Sequence, residues 1–187
     1  ISLCEGLTKI DSAAFYNCGS LRSISIPTTV KEIGRSAFFG CKQLGNVELC
    51  EGLAFIEKEA FRECASLAQI NIPSAVKAIE NGAFQYCSTL TDVELCEGLT
   101  EIHSLAFDNC TSLEHISIPS SVTKLGRGAF QHCTSLREVE LCEGLATIGI
   151  EAFHSCTSLQ QIKIPSTVAA VSEDAFKDCS SLMDVEL

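Results

Sequence analysis

Positive charge is scarce in this chain: 13 Lys and Arg stand against 24 Asp and Glu, giving a formal net charge of −11. Binding to nucleic acid or to an anionic membrane surface depends on clustered Lys and Arg, so neither partner is expected. Long apolar runs are also missing. No stretch approaches the roughly 20 residues needed to cross a bilayer, so no membrane insertion is expected. The chain opens Ile1-Ser2-Leu3-Cys4 with no initiator Met and no visible secretory leader. It is therefore expected to be a piece of a longer array, and its start leaves localisation unread. Twelve Cys are present, yet none form a C-x-x-C pair of the kind that zinc sites use. H-E-x-x-H, G-x-S-x-G and a phosphate-binding loop are likewise absent. Gly126-Arg127-Gly128 lacks the third glycine of a dinucleotide fingerprint. The expectation is a protein with no catalytic residues, no cofactor and no metal.

What the chain has is repetition. Phe recurs every 23 residues from Phe15 to Phe176, eight times without an insertion. Ala precedes each Phe, Cys follows three residues later from Cys18 to Cys179, and Leu follows after three more from Leu21 to Leu182. A longer period of 46 lies on top. Odd coils carry Ile-x-Ile-Pro-x-x-Val, as at Ile24 to Val30, and even coils carry Val-Glu-Leu-Cys-Glu-Gly-Leu, as at Val47 to Leu53. Such a period marks a solenoid, in which no coil buries its apolar face alone and stacking supplies the core. With no linker or shift of composition, residues 1–187 read as one domain.

Within one coil, Ile24 and Ile26 alternate as a short strand requires, and Pro27 ends it for want of an N–H donor. Val30 and Ile33 point inward. The spacing of Ala37, Phe38 and Cys41 predicts one face of a short helical turn. The cysteine column from Cys18 to Cys179 is expected to be a row of buried, reduced thiols. Stacked equivalent residues hold their Cβ atoms parallel, which suits a disulfide poorly. Cys4, Cys50, Cys96 and Cys142 recur two coils apart, roughly 9.6 Å by strand spacing and beyond disulfide reach. Asn109-Cys110-Thr111 fits a glycosylation sequon, but its middle residue belongs to the cysteine column.

The string IPxxVxxIGxxAFxxCxxL resembles the BspA-like, or Treponema pallidum type, leucine-rich repeat, and residues 30–41 match it almost position for position. The resemblance covers the whole chain. It implies a right-handed solenoid of eight coils, with a parallel sheet on the concave face and short helices on the convex face. It also implies a surface-exposed or secreted binding protein without catalytic residues. The even-coil Leu-Cys-Glu-Gly-Leu departs from the family's Ile-Pro-x-x-Val form.

Two functions remain open: a protein-interaction or ligand-binding module that uses the sheet face, and a structural element that acts as a spacer or associates end to end. No Trp, Tyr or Phe stands at the sheet-facing variable positions. Instead Glu48, Glu94, Glu140 and Glu186 occupy one strand column, with Asp92, Glu138 and Asp184 two residues before three of them. Odd coils offer Ser25, Asn71, Ser117 and Lys163, so acidic rows alternate with nearly neutral ones. This face is the candidate partner-binding surface, for a basic protein or other macromolecule, and solubility alone is the plainer alternative. Calcium fits poorly, because carboxylates about 10 Å apart cannot share one ion; Asp92 with Glu94 would offer only a weak site. His103, His115, His132 and His154 fall in four different columns and read as surface polar residues, although His132 and His154 stand in adjacent coils and should approach each other.

Overall fold

The computed structural model describes residues 3–187. The chain is a solenoid in which each coil contributes two strands. The first four coils hold β1 (Lys9–Ile10) and β2 (Ser23–Ser25), β3 (Glu32–Ile33) and β4 (Asn46–Glu48), β5 (Phe55–Ile56) and β6 (Gln69–Ile72), β7 (Ala78–Ile79) and β8 (Asp92–Leu95). The last four hold β9 (Glu101–Ile102) and β10 (His115–Ile118), β11 (Lys124–Leu125) and β12 (Glu138–Leu141), β13 (Thr147–Ile148) and β14 (Gln161–Lys163), β15 (Ala170–Val171) and β16 (Asp184–Glu186). The sequence leads one to expect nine strands, counting a fragment at residues 1–3. Residues 1 and 2 lie outside the described residues. The other eight are the even-numbered strands, and the odd-numbered column beside them goes unannounced by any alternation.

Alternation explains the longer strands. In β6, Ile70 and Ile72 are buried while Gln69 and Asn71 face solvent. All pairings are parallel and each partner lies one coil away, as in Ser25↔Glu48 and Asn71↔Glu94. The ladder is not continuous, however. β2 bonds to β4, β6 to β8, β10 to β12 and β14 to β16, whereas the seams β4/β6, β8/β10 and β12/β14 carry no strand ladder. In the even-numbered column the 46-residue period is thus a physical pairing of coils, whereas odd-numbered strands bond across the seams, as β3 does to β5 and β11 to β13.

The side opposite these strands holds turns; among the described residues there is no helix, and the expected short helices are corrected accordingly. The reason lies in where the N–H groups point. Phe15, Phe38 and their equivalents donate to the next coil's alanine, at 2.8 Å for every pair from Phe15→Ala37 to Phe153→Ala175. Alternate residues donate locally to i−3, as Cys41 does to Phe38 at 3.2 Å. A helix needs every N–H for its own turn, so a backbone that gives every second one to a neighbour cannot propagate it. Two residues per coil adopt left-handed backbone to manage this, for example Ser36 (φ 53°) and Gly40 (φ 70°), or Leu105 (φ 58°) and Asn109 (φ 60°).

The core is a set of columns. The eight Phe stack face to face, with centroids 5.1–5.5 Å apart and planes within 6°. The repeat leads one to expect all eight rings buried; six are fully buried, whereas Phe15 and Phe176, with a coil on one side only, are half-buried. All twelve Cys are free thiols. From Cys41 to Cys179 each Sγ donates to the carbonyl of the Phe 26 residues earlier, at 3.1–3.3 Å. The column is thus hydrogen-bonded as well as packed.

The two coil types lock together through reciprocal bonds. Gly98 N–H donates to Ser121 Oγ at 2.9 Å, and that hydroxyl donates to the Leu99 carbonyl at 2.7 Å. Thr29 and Thr167 repeat the arrangement with Gly6 and Gly144. Gly98 and Gly144 sit at φ 103° and 118°, which a side chain would strain.

Candidate functional site

The seven acidic residues singled out by the sequence, Glu48, Asp92, Glu94, Glu138, Glu140, Asp184 and Glu186, are all solvent-exposed on the even-numbered strands. Strand alternation puts them on one face, because Val47 beside Glu48 and the intervening Val93 and Val139 point into the core. Coil pairing decides their neighbours: Glu48 stands beside Ser25, Glu94 beside Asn71, Glu140 beside Ser117 and Glu186 beside Lys163. Among the described residues, basic side chains reach only two of the seven, Lys163 Nζ to Glu186 at 3.8 Å and His115 Nε2 to Glu140 at 3.9 Å. Exposed pairs of this length add little to stability, so the face keeps most of its negative field.

The face is grooved at the seams between coil pairs, where the strand ladder is missing. Asn46, Glu48, Gln69 and Asn71 line a groove of about 280 Å³. Asp92, Glu94, His115 and Ser117 line one of about 420 Å³. Glu138, Glu140, Gln161, Lys163, Asp184 and Glu186 line one of about 290 Å³. Every groove has an acidic wall from an even coil and a polar wall from the odd coil that follows; the last also reaches across the bonded β14/β16 pair to Asp184 and Glu186. This periodic relief is not legible in composition, since it depends on which strands bond.

Not every carboxylate near the strands is available. Glu97 accepts from the Ser120 N–H (3.1 Å), the Ser121 N–H (3.2 Å) and the Ser120 hydroxyl (3.1 Å). Glu143 accepts from Ser166 N–H and Oγ at 3.2 and 3.1 Å. These backbone donors, Ser120 and Ser166 first, hold both carboxyls below the usual glutamate range. Glu97 and Glu143 therefore serve the coil junction rather than the open face.

The histidines divide. His132 and His154 meet on the turn side with rings 5.5 Å apart, as their adjacent coils require. His132 Nδ1 lies 3.3 Å from buried Asp108, which also accepts from Gln85 Nε2 at 2.8 Å and Asn109 Nδ2 at 2.7 Å. That set is a buried polar cluster, which the sequence reading missed. His115 is different: it lies on β10 within the acidic face, opposite Glu138. The signal was its repeat position, since Asp92 and Glu138 are its equivalents one coil before and after. Aromatic and basic residues gather on the turn side instead, where Arg62 lies 5.4 Å from the Phe39 ring and 5.5 Å from the Tyr86 ring.

A family model described as BspA type leucine rich repeat region matches the chain in six copies, over residues 8–137 and 55–183. Among solved structures, a leucine-rich repeat protein of T. pallidum is 34% identical, with 85% of this chain and 77% of that one covered and a TM-score of 0.79. The pneumococcal vaccine antigen PcpA is 22% identical, with 97% and 56% covered and a TM-score of 0.72. A leucine-rich cell surface protein of Faecalibacterium prausnitzii is 22% identical, with 96% and 79% covered and a TM-score of 0.51. The last two show the shared fold alone. No curated protein matches the chain in sequence. Among the described residues no helix is long and apolar enough to cross a membrane.

Proposed function

The chain belongs to the BspA type leucine-rich repeat family, and from that premise we propose that it is a non-enzymatic binding module whose acidic sheet face docks a basic protein or peptide. Leucine-rich repeats generally serve as protein-interaction scaffolds. The observation that carries the reading is the coincidence of three grooves with three acidic strand rows at a 46-residue spacing. A solubility device needs dispersed charge and no relief. A docking face gains from rows of one sign along a groove, which raise the encounter rate of an oppositely charged partner and fix its register.

The test is a peptide array graded from acidic to Lys/Arg-rich, probed with the intact chain at low and physiological salt. Binding should rise with basic content and weaken as the Debye length shrinks to about 8 Å. Glu48, Glu94 and Glu140 changed together to Lys should abolish it, with the fold checked by circular dichroism. Equal binding of neutral peptides, or the same affinity and salt response after reversal, overturns the reading.

A further inference from the structure

We propose that His115, Glu138 and Glu140 form a binding site for one divalent transition-metal ion, Zn²⁺ by ligand type. One imidazole nitrogen and one oxygen from each carboxylate lie within 4.8 Å of one another. His115 Nε2 and Glu140 Oε1 are 3.9 Å apart. Ligands at about 2.0–2.2 Å in tetrahedral geometry stand roughly 3.3–3.5 Å from each other. The side chains thus need to close by about an ångström, and all three are exposed and free to rotate.

The backbone beneath them is held firmly. β10 and β12 form a four-residue parallel ladder that sets His115 against Glu138 and Ser117 against Glu140. Two residues apart on one strand, the carboxylates share a face, and the imidazole enters from the strand alongside. Asp92 and Glu94 form the opposite wall of the groove that His115 lines, so carboxylates flank the imidazole on both sides. Lys163 lines the groove on the far side of Glu138 and Glu140 but pairs with Glu186 at 3.8 Å, so a metal ion would still offset the charge of the two carboxylates.

Ligand type selects the metal class. Calcium takes six to eight oxygens and magnesium keeps its waters in an octahedral shell, so neither gains from an imidazole nitrogen. One nitrogen and two carboxylate oxygens suit zinc and its first-row neighbours, with a position left for water or for a donor from a partner. His103 offers a contrast: it has Glu101 at 3.4 Å and Glu80 at 3.9 Å. Only the His115 set brings three ligand atoms within mutual reach among the described residues. The site goes beyond the docking reading and stands without it.

Zn²⁺ titration of the intact, reduced chain by calorimetry, with histidine side-chain NMR, tests the site. The expected result is one saturable equivalent that shifts the His115 ring nitrogens, persists in millimolar Ca²⁺ and Mg²⁺, and weakens at least about tenfold in His115→Ala and in Glu140→Gln. Glu48→Gln should leave it unchanged. Unaltered binding in His115→Ala overturns the proposal. So does a thiolate charge-transfer band when Co²⁺ replaces Zn²⁺, which would assign the ion to cysteine. Basic-peptide binding by His115→Ala, measured in metal-free buffer, reports on the docking reading separately.

Discussion

Raising the pH should dismantle this solenoid abruptly, because its cysteine column must stay protonated. Cys64, Cys87, Cys110, Cys133 and Cys156 are 0% exposed. Burial is the largest cause lifting each thiol above its ordinary value, and for Cys64, Cys110 and Cys156 the neighbouring column thiols add to it. Cys87 is raised to about 12. In the unfolded chain a thiol ionises near 8.5, so above that pH the unfolded state releases protons that the folded state retains. The sign follows: the contribution is intact below about pH 8.5 and is lost as pH rises toward the folded values. Each such thiol removes about 1.4 kcal/mol per pH unit, and five together remove about 7. By about pH 10 the loss is on the order of 10 kcal/mol, comparable to the whole stability of a typical domain. The assay is urea denaturation followed by circular dichroism from pH 7.5 to 10.5, in oxygen-free reductant so that ionisation is not confused with oxidation. Lys and Tyr also titrate in this range, so the informative comparison is Cys87→Ala, Cys110→Ala and Cys133→Ala combined. That variant is less stable at neutral pH, yet its alkaline slope should be shallower by about 4 kcal/mol per pH unit. Equal slopes in the two proteins would refute the account.

Other consequences follow from the columns and junctions. Ala75 stands where Thr29, Ser121 and Thr167 carry the hydroxyl that joins successive coils. Ala75→Thr should therefore gain about 1–2 kcal/mol from two new hydrogen bonds, raising Tm by several degrees in a thermal melt. Phe107 stacks on two rings at 5.3 Å, so Phe107→Ala should cost about 3–5 kcal/mol in denaturant titration, and Phe15→Ala clearly less because it has one stacked neighbour and is half-buried. Gly98→Ala should cost more than about 1 kcal/mol, since its φ of 103° excludes a side chain; a neutral result would mean that the junction relaxes. Ala13→Gly should stabilise the first coil by up to about 1 kcal/mol, because exposed Ala13 holds φ 57°.

Much of the fold is legible in the sequence because a residue that recurs every 23 positions must stack on itself. The Phe and Cys columns are visible for that reason. The turn side is harder to read. Ala37, Phe38 and Cys41 have helical spacing, but spacing records which side chains point inward and not where the N–H groups go. The donation from Phe38 to Ala60 in the next coil excludes the helix and leaves no trace in hydrophobic period. A weaker signal was present: Asn17, Gly40, Asn109 and Asp178, types that tolerate left-handed backbone, share one column. Tyr86 and His132 in the same column obscure it. At the candidate face, the acidic residues were visible by column, whereas the status of Glu97 and Glu143 was not, because only geometry shows that the Ser120 and Ser166 backbone occupies them.

The alternation of coil types has one cause that links stability to function. Even coils end in Cys-Glu-Gly-Leu, and the glycine turn offers an N–H and a glutamate to the following odd coil, whose Pro-x-x-Val turn returns a hydroxyl. These bonds fasten the seam on the turns after the strands, at Gly98, Glu97, Ser120 and Ser121. The strands on either side of that seam do not share a ladder. The junction is thus held at its rim while its strand edges stay unjoined, and that is where the grooves open. If every coil carried the Pro-x-x-Val turn, the glutamate and the glycine N–H would be missing from each junction. The coils would then have no reason to differ at their seams. The same 46-residue rhythm that places the acidic rows therefore places the relief beside them. Converting Cys96, Glu97 and Gly98 to Pro, Ser and Ser, the residues of the odd coil at Pro119, Ser120 and Ser121, should erase the groove between β8 and β10 along with its junction bonds. Loss of peptide binding confined to that seam, with the rows at Glu48 and Glu140 still active, is the outcome this coupling requires.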